Sequence, residues 1–307
     1  MKPRLFLLAS LAFVLAPLLR ADAPGPRGPA PAALSKPVIV GASVSAGIGL
    51  DPGADAFQGQ ESKLRLANVV EASIVGSHAP TVDLSSFVFF TAPKPTAKKS
   101  AKEAIEAKPS VVVALDYLFW LGYGDGTEKS RLERLDEGLK ALETVKAPVL
   151  LGDLPDFNGV EVSRMMLAPE RIPSKDVLAK LNARIVEFAG KHPNVVVVPI
   201  QETFRKINAG ESFTVRGNEF GKDARSKLMQ SDGLHTTLEG TCALWVVAVD
   251  AWLAKKPAGL DEKAFVLDVA QLVAKAPTAV PADASGAGKS GKPSKPAKKK
   301  EGVGAGG

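Results

Sequence analysis

Pro37-Val-Ile-Val-Gly-Ala-Ser-Val-Ser-Ala-Gly47 is a short β-branched run that stops at a glycine and at once presents two serines among small residues. Near-continuous apolar runs of this kind form parallel strands buried on both faces. Open α/β sheets bind their ligands outside the carboxyl edge of the strands, and there the chain delivers Ser43. Gly41, Gly47 and Gly49 allow a sharp turn and bring backbone N–H groups close to a substrate. Such a turn suits either a phosphate or a nucleophile. Phosphate is the weaker choice, because no Lys-Ser/Thr pair follows the glycines and their spacing does not match the dinucleotide fingerprint.

Outward from this stretch, strand and helix patterns alternate. Lys63 to Ile74 carries apolar residues at 64, 66, 69, 70 and 74, a helical period. Ser86-Phe-Val-Phe-Phe90 reads as a strand, residues 97–107 as a solvated helix, and Pro109 to Tyr117 as a second buried strand with Asp116 at its carboxyl end. A helix over 130–145 places Leu132, Leu135, Leu139 and Leu142 on one face. The strand 148–151 ends in Gly152-Asp-Leu-Pro-Asp156, a helix capped by Ser174 runs to 189, and 194–199 is a last strand. Strands separated by helices imply parallel pairing through right-handed crossovers. The pattern predicts one three-layer α/β/α domain over residues 37–275.

Near the other end lies Ser231-Asp-Gly-Leu-His-Thr-Thr-Leu-Glu-Gly240. Thr236 with Glu239 three residues on, ahead of an apolar run to Trp252, is a capping-box pattern that starts a helix. His235 then sits just outside that helix, and Asp232 precedes it by three residues. A carboxylate so placed can hold one ring N–H and stabilise the imidazolium, leaving the other nitrogen to take a proton from a serine. The same residues also read as an ordinary Asp-Gly turn. His78 beside Gly76, His192 in a loop, and Asp153 and Asp156 at a strand end are weaker candidates, since turn chemistry accounts for each. Tyr117, Phe119, Trp120 and Tyr123 suit core packing or a cleft wall.

Composition narrows the classes. The single cysteine, Cys242, permits no intrachain disulfide, and neither a Cys pair nor a His pair stands at the spacing of structural zinc. Residues 1–23 show basic Lys2 and Arg4, an apolar run and Ala21-Asp-Ala23, the order of a secretory signal, which predicts a secreted or periplasmic protein. Residues 24–36 are rich in Pro, Ala and Gly and read as a linker; residues 276–307 read as a disordered tail. Of the formal charge of +6, the six lysines of residues 281–307 against Asp283 and Glu301 give +4, and residues 1–23 give +2. The domain itself is near neutral, so no nucleic-acid partner is expected, and the Lys-rich tail suggests weak contact with an anionic envelope.

Taken together, Gly-Ala-Ser-Val-Ser-Ala-Gly after the first strand and Asp-Gly-Leu-His-Thr-Thr-Leu-Glu-Gly near the end resemble the first and last blocks of the SGNH, or GDSL-like, hydrolase family, across residues 37 to 255. The resemblance implies a flavodoxin-like parallel sheet of about five strands, no cofactor and no metal. It implies esterase, lipase, thioesterase or acyl-transfer chemistry on an acyl ester, with a lipid or an acetylated glycan as partner. Ser43 is then the nucleophile, His235 the base and Asp232 the residue that orients it, with an oxyanion hole from Ser43, Gly76 and Asp116. Two positions depart from the family pattern: Ala42 replaces an aspartate, and Asp116 stands where an asparagine is usual. An ionised carboxylate beside a developing oxyanion repels it, so an inactive, carbohydrate- or lipid-binding protein is the alternative.

Overall fold

The Val- and Leu-rich runs become strands with almost no solvent on either face. In the computed structural model, which describes residues 28–54 and 62–282, the strands are Pro37–Ile39 (β1), Val82–Asp83 (β2), Val111–Ala114 (β3), Val149–Gly152 (β4) and Val195–Val198 (β5). All pair in parallel, in the order β2-β1-β3-β4-β5. The chain passes from β1 to β2 on one side and then crosses to β3 on the other. The order therefore reverses between β1 and β3, and the crevice at their carboxyl ends is where such a sheet takes a ligand.

Nine helices are described: Leu66–Ser73 (α1), Pro93–Glu106 (α2), Phe119–Gly122 (α3), Glu128–Leu142 (α4), Lys175–Lys191 (α5), Ile200–Ala209 (α6), Ala224–Leu228 (α7), Leu238–Ala254 (α8) and Val269–Lys275 (α9). Helices α2, α4 and α5 pack in sequence over one face of the sheet, and α1, α8 and α9 pack together over the other. The result is a three-layer α/β/α sandwich. Helix α8 is apolar nearly all round, and Trp245 on it donates its indole N–H to Ser73 Oγ of α1 at 2.8 Å. That bond satisfies the one polar atom of a fully buried ring. A small antiparallel hairpin, Phe213–Val215 (β6) with Asn218–Phe220 (β7), stands apart from the main sheet.

Three sequence expectations need correction. The second strand is Val82–Asp83, and Ser86 to Phe90 forms a turn leading into a 3₁₀ helix at Phe89–Thr91. Asp83 Oδ1 accepts the Ser85 N–H and O–H at 2.9 and 2.6 Å, which turns the chain out of the strand. The linker expected over 24–36 is ordered packing from residue 28 onward: Ala30 donates to Ser77 O, Ala79 donates to Ser35 O, and Leu34 is buried. The domain also runs past 275, since Ala276 is buried, Asn68 Nδ2 donates to Ala279 O, and Ala282 donates to Thr81 O. The expected signal over 1–23, residues 24–27 and the tail from 283 lie outside the described residues.

Candidate active site

Immediately beyond β1 the chain coils through a tight turn that carries Ser43. One carboxylate organises it. Asp116, delivered two residues past β3, accepts Ala42 N–H at 2.9 Å and the Ser45 hydroxyl at 2.6 Å on Oδ1, and Val44 and Ser45 N–H at 2.8 and 3.2 Å on Oδ2. A carboxylate has about four acceptor positions, so these donors fill it. Burial, the largest influence, pushes the Asp116 carboxyl above the ordinary aspartate value, and the Ser45 hydroxyl and the three amides oppose that rise without cancelling it. Gly41 is needed because a Cβ there would strike Asp116 Oδ1 and the Ser45 side chain. Both Asp116 oxygens are thus committed to bracing the turn and neither is left to face an oxyanion, which corrects the role expected for it.

The same bonds single out one amide. The N–H groups of Ala42, Val44 and Ser45 go to Asp116, and those of Ala46, Gly47 and Ile48 go to the carbonyls of Ala42, Val44 and Ser43. Ser43 N–H has no acceptor among the described residues, nor has Gly49 N–H further along the turn, and Ser43 N–H is the donor nearest the Ser43 hydroxyl.

The second half comes from the loop before α8. Asp232 Oδ1 accepts Leu234 and His235 N–H at 2.9 and 3.0 Å, closing the turn on itself, and its Oδ2 lies 2.6 Å from His235 Nδ1. A carboxylate only accepts, so Nδ1 carries the proton. Nε2 of the neutral ring is then the acceptor, 2.9 Å from Ser43 Oγ. Burial raises the Asp232 carboxyl, but the His235 hydrogen bond and charge with the two loop amides outweigh it and hold it below the ordinary aspartate value. Gly233 takes a positive φ of 70° at the loop apex, where a Cβ would also meet Glu161 O. Gln230 Nε2 donates at 2.7 Å to both Ile48 O and Thr236 O, stapling the serine turn to the histidine loop.

Ser43 opens onto a cavity of about 40 Å³ walled by Leu115, Phe119, Leu154, Phe157, Phe204 and Leu244, with Asp153 at the end of β4. On this measure a water needs about 10–15 Å³, so the cavity holds roughly three water-sized groups. Asp153 Oδ1 accepts Gln201 N–H at 2.7 Å at the start of α6. Desolvation pushes its carboxyl up to about 6, against the pull of the Gln201, Ile200 and Asp153 amides. Among the described residues no side chain donates to it and no cation pairs with it.

The structure thus brings Ser43, His235, Asp232 and Asp116 to one place. Gly76 lies elsewhere, and its expected oxyanion role is corrected. Helix α1 carries the chain back to the amino edge of the sheet, where Ser77 donates to Gly28 O and a Cβ on Gly76 would meet the backbone of Gly28 and Ala30. His78 stays at that edge, its Nε2 3.2 Å from Glu71 Oε1. His192 is bound to Phe188 O of its own helix, and Asp156 is turned onto Asn158. Tyr117 is core, its hydroxyl donating to Ala97 O. Among the described residues no group of three or more His, Cys, Asp or Glu is placed to hold a metal ion. Sequence reasoning missed Gln230 and ranked Asp153 only among the weaker candidates. The only sequence signal for Asp153 is its place directly after an apolar strand.

No protein-family model matches the sequence, and no curated protein sequence matches it. Among solved structures the chain is similar to an assigned acylhydrolase of Bacteroides fragilis, at 13% identity and a TM-score of 0.42, over 72% of this chain and 86% of that one. It is similar to TesA at 18% identity and a TM-score of 0.38, over 72% and 98% of the two chains. A GDSL-like lipase of Bacteroides thetaiotaomicron gives 14% identity and a TM-score of 0.41, over 73% and 88%.

Proposed function

We propose that this protein is an exported serine acyl hydrolase of SGNH type acting on esters of short acyl groups. The observation that carries the reading is the unbroken line from Asp232 Oδ2 through His235 to Ser43 Oγ, at 2.6 and 2.9 Å. Ser43 Oγ attacks the acyl carbonyl as its proton passes to His235 Nε2, and Asp232 balances the imidazolium. Ser43 N–H donates to the oxyanion. His235 then protonates the leaving alcohol, and water, deprotonated by the same ring, releases the acid from Ser43. The cavity of about 40 Å³ supports an acyl group of acetyl size over a lipid chain. The order of residues 1–23 supports export, and the lysines of residues 281–307 support a salt-sensitive tether to an anionic envelope.

The full chain is assayed on p-nitrophenyl acetate beside Ser43→Ala. The expected outcome is a loss of at least about 10³-fold in kcat. Equal rates for the two proteins refute the proposal.

A further inference from the structure

Three side chains with polar atoms face the cavity: Ser43, Asp116 and Asp153. Ser43 is engaged with His235, and both oxygens of Asp116 are filled by the nucleophile turn. Asp153 is left over. It is partly buried and shares the cavity wall with Gly152, Leu154, Pro155, Phe157, Ile200 and Phe204. Its position is fixed from both sides: Oδ1 receives the Gln201 amide, and the next residue, Leu154, is clamped through both backbone groups by Asn182, at 2.8 and 2.9 Å. A negative group in apolar surroundings without a cation is unfavourable unless something answers it. Phe119, Phe157 and Phe204 form a connected set of rings beside it, with Phe157 edge-on to both of the others. Carboxylate and aromatic rings together are the surroundings in which an ammonium group is held.

We propose that Asp153 is a specificity-determining residue, and that the preferred substrate is an ester carrying an ammonium group two to four bonds from the scissile carbonyl carbon. The inference rests on the hydrolase reading above and deepens it. An ammonium in either half of the ester has the same chemistry. An aminoacyl group brings it on the acyl side and a choline-like alcohol on the other.

The test measures kcat/KM at pH 7.5 for glycine ethyl ester against ethyl propionate, and for acetylcholine against 3,3-dimethylbutyl acetate, its uncharged isostere. Wild type, Asp153→Asn and Ser43→Ala are compared. Asparagine keeps the acceptor for Gln201 N–H and removes the charge, so the fold is retained. The expected result is a preference of about tenfold or more for the cationic member of one pair in wild type, lost in Asp153→Asn, with the neutral esters changed less than about threefold. The pair that shows it identifies the half bearing the ammonium. Ser43-dependent turnover with the same cation preference in wild type and Asp153→Asn, or with none in either, overturns the inference and leaves the hydrolase reading standing. Turnover that does not depend on Ser43 overturns both.

Discussion

Asp116 has two oxygens and four donors, and that count decides what a substitution does. Asparagine keeps one acceptor oxygen and places an NH₂ against either Ala42 N–H and Ser45 O–H or Val44 N–H and Ser45 N–H. Each buried donor left without an acceptor costs about 1–3 kcal/mol, and the turn must shift to relieve it. Asp116→Asn is therefore expected to lower kcat on p-nitrophenyl acetate by roughly 10–100-fold with KM changed less than about threefold. Steady-state kinetics check this, and Asp116→Ala falls further. A rise in kcat for Asp116→Asn is the opposite outcome and reinstates position 116 as an oxyanion donor. Ser43, Asp232 and His235 were legible because each is a chemically distinctive side chain at a turn next to a strong strand or helix signal. The function of Asp116 was not, since an acid at a strand end looks the same in sequence whether it faces a substrate or a neighbouring loop.

At the scale of elements, the start of α8 positions the histidine. The sequence pattern puts the cap at Thr236, and the structure puts it at Thr237, whose Oγ1 accepts Gly240 N–H at 3.1 Å. Adjacent threonines make the register ambiguous by one residue. Packing resolves it, because Thr236 Oγ1 is turned inward to Thr241 Oγ1 at 2.8 Å and its backbone bridges Met229. Thr237 Oγ1 also donates to Lys227 O, which ties the helix start to the end of α7. Thr237→Ala loses both bonds and is expected to destabilise the protein by about 1–2 kcal/mol. A thermal melt should show Tm lower by roughly 2–8 °C. The strands were legible wherever a run was buried on both faces. Ser86 to Phe90 misled because its phenylalanines suit a strand, yet Phe90 is 48% exposed and only the Asp83 side-chain bonds, invisible in a periodicity, end the strand early.

Across the whole molecule, the topology explains both what sequence could place and what it could not. Parallel strands send every odd turn to the carboxyl edge and every crossover return to the amino edge, so Ser43 and Asp116 meet while Gly76 and His78 are carried to the far side. The cleft at the switch between β1 and β3 holds Asp153 at a cost the fold must offset elsewhere. Its carboxyl is pushed up to about 6 from 3.8 by desolvation. A folded pKa above the unfolded one stabilises the native state fully below about pH 3.8, and that contribution is lost as pH rises through about 6. Asp116 shares the cavity wall, and His235 with Asp232 stand behind Ser43; all three are present in both wild type and Asp153→Asn. Glu71 and Asp232, both held below their ordinary values, act in the opposite sense, adding stability above their unfolded pKa values that is lost in acid. Asp153→Asn should therefore gain on wild type by roughly 2–3 kcal/mol between pH 4 and pH 8. Denaturant titrations of both proteins across that range measure it, and a difference that stays flat with pH means the Asp153 carboxylate carries no desolvation cost and the cavity around it is wet.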